Sequence, residues 1–292
     1  MANTITLKRR IGSVKNTKQI TKAMEMVAAS KMRKTQEAAH ASRPYRVAAT
    51  SLLARLSTMT DVENHPLYQK RAIKNKLYVI ISSDRGLAGA YNANILRKLT
   101  QSILQDHETG INVSVAVVGK QGANFVKRLN SVNIIATYNG FGDHPTSNEV
   151  RPLLHTIIEK FSNKQVDDVE LLYTDLESNI VQNAKKILLL PARFDISEAD
   201  QSHVAALANA TFEPSVEAVL KGVTERLLEA QLWQAMLESV ASEHSMRMMA
   251  MKNATENASE LIDDLTLAFN TARQASITQE LAEITGGAEA MK

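Results

Sequence analysis

No cysteine occurs in the 292 residues of this chain, which excludes disulfides, thiolate metal sites and cysteine nucleophiles. Aromatic residues make up only 4%, with a single tryptophan. With so few large rings, burial has to come from Ala, Leu, Val and Met, and one large compact core is not expected. No stretch approaches the roughly 20 apolar residues that a membrane-spanning helix requires. The apolar runs are short, such as Ile187-Leu188-Leu189-Leu190. The first twelve residues have no apolar segment and no small-residue cleavage site, so a secretory signal is not expected. The formal net charge of +3 is too small to imply a nucleic-acid partner by itself.

Glycine and proline are missing where their absence says most. Residues 223–285 contain neither, and Gly286-Gly287 follow at once. Helices average roughly 11–12 residues. An uninterrupted stretch of this length reads as one rod, about 95 Å long at about 1.5 Å per residue. Pro214 is well placed for a start near Ser215. The stripe Val219, Val223, Leu227, Ala230, Leu237, Ala241, His244, Met248, Met251, Ala258, Leu265, Ala268 and Ala272 has heptad-like spacing but many small or flexible residues. Such a seam suits a partner that approaches closely without binding as a tight homodimer.

The N-terminal section, from about Ile5 to about Leu56, is also helical in pattern. Its proposed inner face is Ile20, Ala23, Val27, Ser30, Ala38, Ala41, Tyr45, Ala48, Leu52 and Leu56. Pro44 sits inside it and is expected to kink the helix or to end it at Arg43 with a restart. Residues 1–35 hold nine Lys or Arg against Glu25 alone, and residues 253–292 hold seven acids against Arg273 and Lys292. If the middle section is an insertion, the terminal helices pair antiparallel, basic end along acidic end, with the tip of the longer helix projecting. Surface ion pairs are worth about 0–1 kcal/mol each, so they would select register more than supply stability.

Between the helices the pattern changes to short β-branched runs. Strands are expected at 77–81, 113–118, 134–138, 169–173 and 184–190, with helices near 91–105, 122–129 and 149–161. That alternation implies a mostly parallel α/β sheet.

Chemical motifs are weak. The loop Asp84-Arg85-Gly86-Leu87-Ala88-Gly89 has two glycines but no G-x-G-x-x-G, and Gly119-Lys120 lacks both the upstream glycine and the following Ser or Thr of a P-loop. A structural turn is the favoured reading, and helix capping is favoured for Ser82-Ser83-Asp84 at the strand end. The seven histidines show no metal-ligand spacing, and His244 reads as packed or partner-facing. The basic N-terminal helix lacks interleaved aromatics, so a solvated or protein-facing surface is favoured over nucleic acid. Met246-Arg247-Met248-Met249-Ala250-Met251 reads as core packing, as adaptable docking surface, or as both on different faces. An α/β ligand-binding protein with a coiled-coil oligomerisation arm, and a basic coiled-coil scaffold for nucleic acid, are the other readings these features allow.

Three blocks resemble the gamma subunit family of bacterial F-type ATP synthases: IGSVKNTKQITKAMEMVAASKMRKTQ from Ile11, ISSDRGLAGAYNANI from Ile81, and the C-terminal region from Ser242-Glu243 through MRMMAMKNATENASELI to ARQASITQELAEITGGAEA. Thr285 and Gly287 are small departures, and Ala88 stands where many relatives have Cys. The resemblance implies an antiparallel coiled coil of the terminal helices with an inserted Rossmann-like α/β domain, divided as 1–58, 75–195 and 210–287. It implies a rotor that turns inside a hexamer of alpha and beta subunits, couples transmembrane proton flow to ATP synthesis or hydrolysis, holds the epsilon subunit and stands on the membrane c-ring. It implies no catalytic, cofactor or metal site in this chain, and a peripheral place on the cytoplasmic face of the bacterial inner membrane. Met24 and Arg247 match the family's coupling positions, as do Arg273, Gln274, Thr278 and Glu283 on the far helix; Phe212 and Glu213 match the rotor foot.

Overall fold

The computed structural model describes residues 4–59, 65–129, 132–143, 145–178, 181–193 and 212–290. They form α1 (Thr4–Leu56), β1 (Asn75–Ile81), α2 (Tyr91–Glu108), β2 (Asn112–Val118), α3 (Lys120–Val126), β3 (Asn133–Tyr138), α4 (Ser147–Ser162), β4 (Asp168–Leu176), β5 (Gln182–Leu190) and α5 (Val216–Ala290). Two units emerge, one of residues 1–28 and 247–292, the other of residues 29–246.

In the larger unit the strands lie in the order β3-β2-β1-β4-β5. The first four are parallel and β5 runs antiparallel to β4. β1 is central and buried from Lys76 to Ile81, which is why it reads as a continuous apolar run and not as an alternation. Tyr78 and Ile80 point to one face, where α2 and α3 add Ile95, Leu99, Ala123 and Val126. Leu77, Val79 and Ile81 point to the other, covered by Val150, Leu153, Ile157 and Phe161 of α4. Leu228, Leu232, Ala235 and Met236 of α5 complete that cover, so the long helix is itself a layer of the α/β body. Leu53 and Leu56 of α1 meet Leu220 and Leu227 of α5. Lys31, earlier on α1, and His244, later on α5, both reach Asp143, so the two helices run antiparallel here.

In the smaller unit the Thr255 hydroxyl donates to the Thr21 hydroxyl at 2.8 Å. Counting outward from that pair in opposite directions sets Val14 level with Ile262, Ile11 with Leu265, Leu7 with Phe269 and Thr4 with Ala272. All eight are buried or half-buried, as an antiparallel seam requires.

Several expectations need correction. α1 runs on through Pro44, so of the two alternatives there the ending at Arg43 with a restart is not what forms. Its seam is Leu7, Ile11, Val14, Lys18, Thr21 and Ala28, one position round from the face expected of it: Ala23 and Ser30 are exposed, Ile20 is 61% and Val27 53% exposed, and further along Ala41, Tyr45 and Ala48 are exposed while Leu52 is half-buried and Leu56 buried. The expected face followed hydrophobicity, whereas the true seam carries Lys18 and Thr21 and leaves Ile20, Met26 and Val27 uncovered. α3 starts at Lys120, and α5 continues through Gly286-Gly287, where a Cβ at either glycine would meet nothing. On α5 only Ala268 departs from the expected stripe, being exposed.

Candidate functional site

The C-terminal end of a parallel sheet is where an α/β fold would hold a nucleotide. Here the cleft measures about 230 Å³ and is lined by Ser82, Asp84, Arg85, Gly119, Gly140 and His244, among others. The backbone donors at the start of α3 have acceptors from the chain itself. The Asp84 carboxylate accepts from the first amide of α3, Lys120 N–H, at 3.0 Å and from Gly140 N–H at 3.0 Å. A carboxylate thus sits on the helix end where a phosphate would otherwise go. Ser82 Oγ donates to Val118 O at 2.7 Å and accepts from Gly122 N–H at 2.9 Å. Ser83 N–H and Oγ are held by the Asn92 side chain. Gly119 has φ +93°, and a Cβ there would come within 2.1 Å of Ser82 O. Ser82-Ser83-Asp84 is therefore a structural clamp, as capping predicted.

Beside it, Asp143 joins three elements. Lys31 Nζ lies 2.5 Å and His244 Nε2 3.2 Å from its carboxylate, and Thr35 Oγ1 donates to its carbonyl at 3.3 Å. Burial would raise the Asp143 pKa, but the hydrogen bond and charge of Lys31, with His244 and Arg85 nearby, bring it below the usual carboxylate range. His244 is buried and packed.

A second charged cluster lies at the opposite end of the strands. Lys76 Nζ is 3.2 Å from Asp106, 3.9 Å from Asp168 and 3.8 Å from Glu170, and Tyr78 OH donates to Asp106. Burial, with Glu170 and Asp106 near, pushes Asp168 up to about 6 against the pull of Lys76. A wider surface cleft of about 960 Å³ between α4 and the start of α5 is lined by charges of both signs, with Arg151 and Arg226 both on Glu229 at 3.0 and 2.7 Å. Among the described residues no group of three or more His, Asp or Glu is arranged to hold a metal ion, and no helix is long and apolar enough to cross a membrane.

The coupling positions divide into two sets. Met24 is half-buried and Arg247 buried, both in the smaller unit. From the Thr21–Thr255 level, Met24 falls opposite Lys252, about one and a half turns along α5 from Arg247. Arg273, Gln274, Thr278 and Glu283 are all exposed, and every side chain from Arg273 to Ala288 shares that exposure. Thr278 Oγ1 donates to Gln274 O at 3.0 Å and Gln279 Nε2 to Glu283 at 2.9 Å, contacts internal to one helix. Phe212 packs beside Leu53 and Leu220, while Glu213 is exposed. Sequence reasoning missed Asp143 and the serines Ser239 and Ser242, whose hydroxyls bond the backbone of β4. The sequence signal for the serines is a small polar i, i+3 pair on the helix side that carries Leu232, Ala235 and Met236.

A five-stranded α/β body that includes part of a 75-residue helix, and an antiparallel pair formed by the two terminal helices, define the class of an α/β protein with a long helical stalk. Residues 3–291 match the family model described as ATP synthase. Among curated relatives, the ATP synthase gamma chains of Acidithiobacillus ferrooxidans and Moorella thermoacetica are 40% and 42% identical, each covering 100% of both chains. That of Pelotomaculum thermopropionicum is 41% identical over 98% of each. A Tetrahymena thermophila mitochondrial ATP synthase central stalk/c-ring structure contains a chain 26% identical, with TM-score 0.64 over 80% of this chain and 99% of that one. A chain of the Euglena gracilis mitochondrial enzyme shares the fold at TM-score 0.67 and 18% identity, over 99% and 94%. The chain belongs to the ATP synthase gamma-chain family.

Proposed function

We propose that this chain is the central-stalk rotor of its ATP synthase and carries no catalytic site of its own. It turns inside a ring of alpha and beta subunits, holds epsilon, and bears on the membrane c-ring through the foot around Phe212 and Glu213. Proton flow drives it during synthesis, and hydrolysis by the ring drives it in reverse. It is peripheral, on the cytoplasmic face of the bacterial inner membrane. A shaft acts by making different contacts with each of three otherwise equivalent sites as it turns. The parts of the chain that do this are the paired helices, 1–58 with 210–287, and the body that turns them is 75–195.

One observation carries this reading. From Arg273 onward α5 lies beyond the described start of α1, yet it stays helical and presents Ile277, Leu281 and Ile284 at 48%, 58% and 69% exposure along one face. A lone helix with an uncovered apolar stripe is marginal in water and calls for a surrounding partner. Arg273 heads the stripe, four residues before Ile277, and Gln274, Thr278 and Glu283 flank it. The closed cleft at Asp84 supports leaving nucleotide chemistry to the partners. Met24 and Arg247 form the second coupling zone. Met24→Lys tests it: the ratio of ion pumping to ATP hydrolysis falls several-fold while hydrolysis is largely kept. An unchanged ratio rejects the assignment.

A further inference from the structure

We infer that Ser239 and Ser242 are positioning residues of the rotor, locking α5 against rotation on the sheet and setting the torsional stiffness with which the α/β body turns the long helix; this rests on the rotor reading above. β1 pairs with β4 only as far as Ile80 opposite Leu172, whereas β4 runs on to Leu176. The peptide groups of Thr174 therefore emerge on the side of β4 that β1 has left. Two hydroxyls from α5 take the place of the missing strand. Thr174 N–H donates to Ser239 Oγ at 3.1 Å, and Ser242 Oγ donates to Thr174 O at 3.2 Å. Ser239 and Ser242 are fully buried and Thr174 is 1% exposed, so water offers no substitute partner.

The geometry makes this a rotational lock. Leu228, Leu232, Ala235 and Met236 hold α5 on the sheet by apolar burial, which has no direction and resists rolling only weakly. Hydrogen bonds are directional and weaken steeply as their angle closes. Serines at i and i+3 lie on one face of a helix. Gripping the N–H and the C=O of one residue, they fix both the roll and the axial position of α5. Nearby bonds lie along the same helix: Trp233 Nε1 donates to Pro145 O at 2.9 Å and Gln182 Nε2 to Ser245 Oγ at 3.0 Å. Ser239 and Ser242 differ from these in meeting the backbone of an inner strand, which cannot yield as a loop or a side chain can.

The test uses the assembled complex of this chain with alpha and beta subunits. A probe is fixed to a single cysteine replacing Leu104, which is 60% exposed on α2. With the ring immobilised and turnover stopped, the angular spread of the probe reports torsional stiffness. In S239A/S242A the variance is expected to rise about two-fold or more once both directional bonds are gone, while unloaded ATP hydrolysis stays at the wild-type rate and Thr174 N–H exchanges faster. If the double variant does not assemble, S242A is read in the same way. An unchanged variance, or a lowered melting temperature without broadening, overturns the inference. A wild-type probe that does not rotate on ATP would instead overturn the rotor reading beneath it.

Discussion

The Thr255 hydroxyl lies 2.8 Å from the Thr21 hydroxyl across the helix seam and 2.8 Å from the Met251 carbonyl on its own helix, while the Thr21 hydroxyl donates to the Lys18 carbonyl at 3.1 Å. This polar contact, at a position where a tight coiled coil would carry Leu or Ile, fixes the level of the two helices without making them cling. The ion pairs Lys22–Glu25 at 3.0 Å and Lys252–Glu256 at 4.0 Å each run along a single helix.

The threonine pair leads to an asymmetry. Thr255→Val removes one partner and leaves Thr21 Oγ underused, costing about 1 kcal/mol; Thr21→Val/Thr255→Val replaces both with groups of the same shape and should come out nearly neutral. A double-mutant cycle by urea unfolding measures this. Additive losses would mean that the hydroxyls do not interact.

Glycines at two places should respond in opposite directions. Gly119→Ala drives a Cβ into Ser82 O at a φ of +93° and should cost more than about 2 kcal/mol by thermal unfolding. Gly286→Ala/Gly287→Ala places methyls in open space within a helix and should gain roughly 1 kcal/mol of local helix stability per site, seen as increased helical circular dichroism.

The strand-end clamp predicts its own loss. Asp84→Ala leaves Lys120 N–H and Gly140 N–H without their carboxylate and should cost about 1.5–3 kcal/mol. Titration of the isolated chain with ATP should show no specific heat of binding.

Asp168 supplies a pH dependence. Its folded pKa of about 6 lies above the ordinary carboxylate value, so the folded state binds this proton more tightly than the unfolded chain. The stabilising contribution is full below the unfolded value, about 4. It is lost as pH rises through about 6. Asp168→Asn, which keeps the group neutral, should therefore raise stability at pH 8 by on the order of 2 kcal/mol and change it little near pH 3, below the unfolded value. Denaturant melts at the two pH values decide; equal shifts at both would contradict the buried-cluster account.

Much of the architecture was legible because its signals are local. The run Leu77–Ile81 is apolar throughout because both faces are covered, and Val219 to Met251 keep heptad-like spacing because that side of α5 is buried. The seam of α1 was misread for a physical reason. Ile20 and Val27 are apolar but exposed, whereas Lys18 and Thr21 line the seam, so hydrophobicity alone does not separate the buried side of this helix from its exposed side. Asp143, Ser239 and Ser242 were invisible because their partners lie far away in sequence: Lys31 is 112 positions from Asp143, and Thr174 is 65 from Ser239. The antiparallel direction of β5 also had no local signal, since its apolar half looks like that of any buried strand.

The most direct measurement exploits the absence of native cysteine. With Leu104→Cys labelled on the α/β body and the alpha–beta ring held to a surface, ATP should turn the label in one direction through full revolutions, in three dwells per turn if the three catalytic sites act in sequence. A label that stays still while the ring hydrolyses ATP at its full rate would contradict the rotor account.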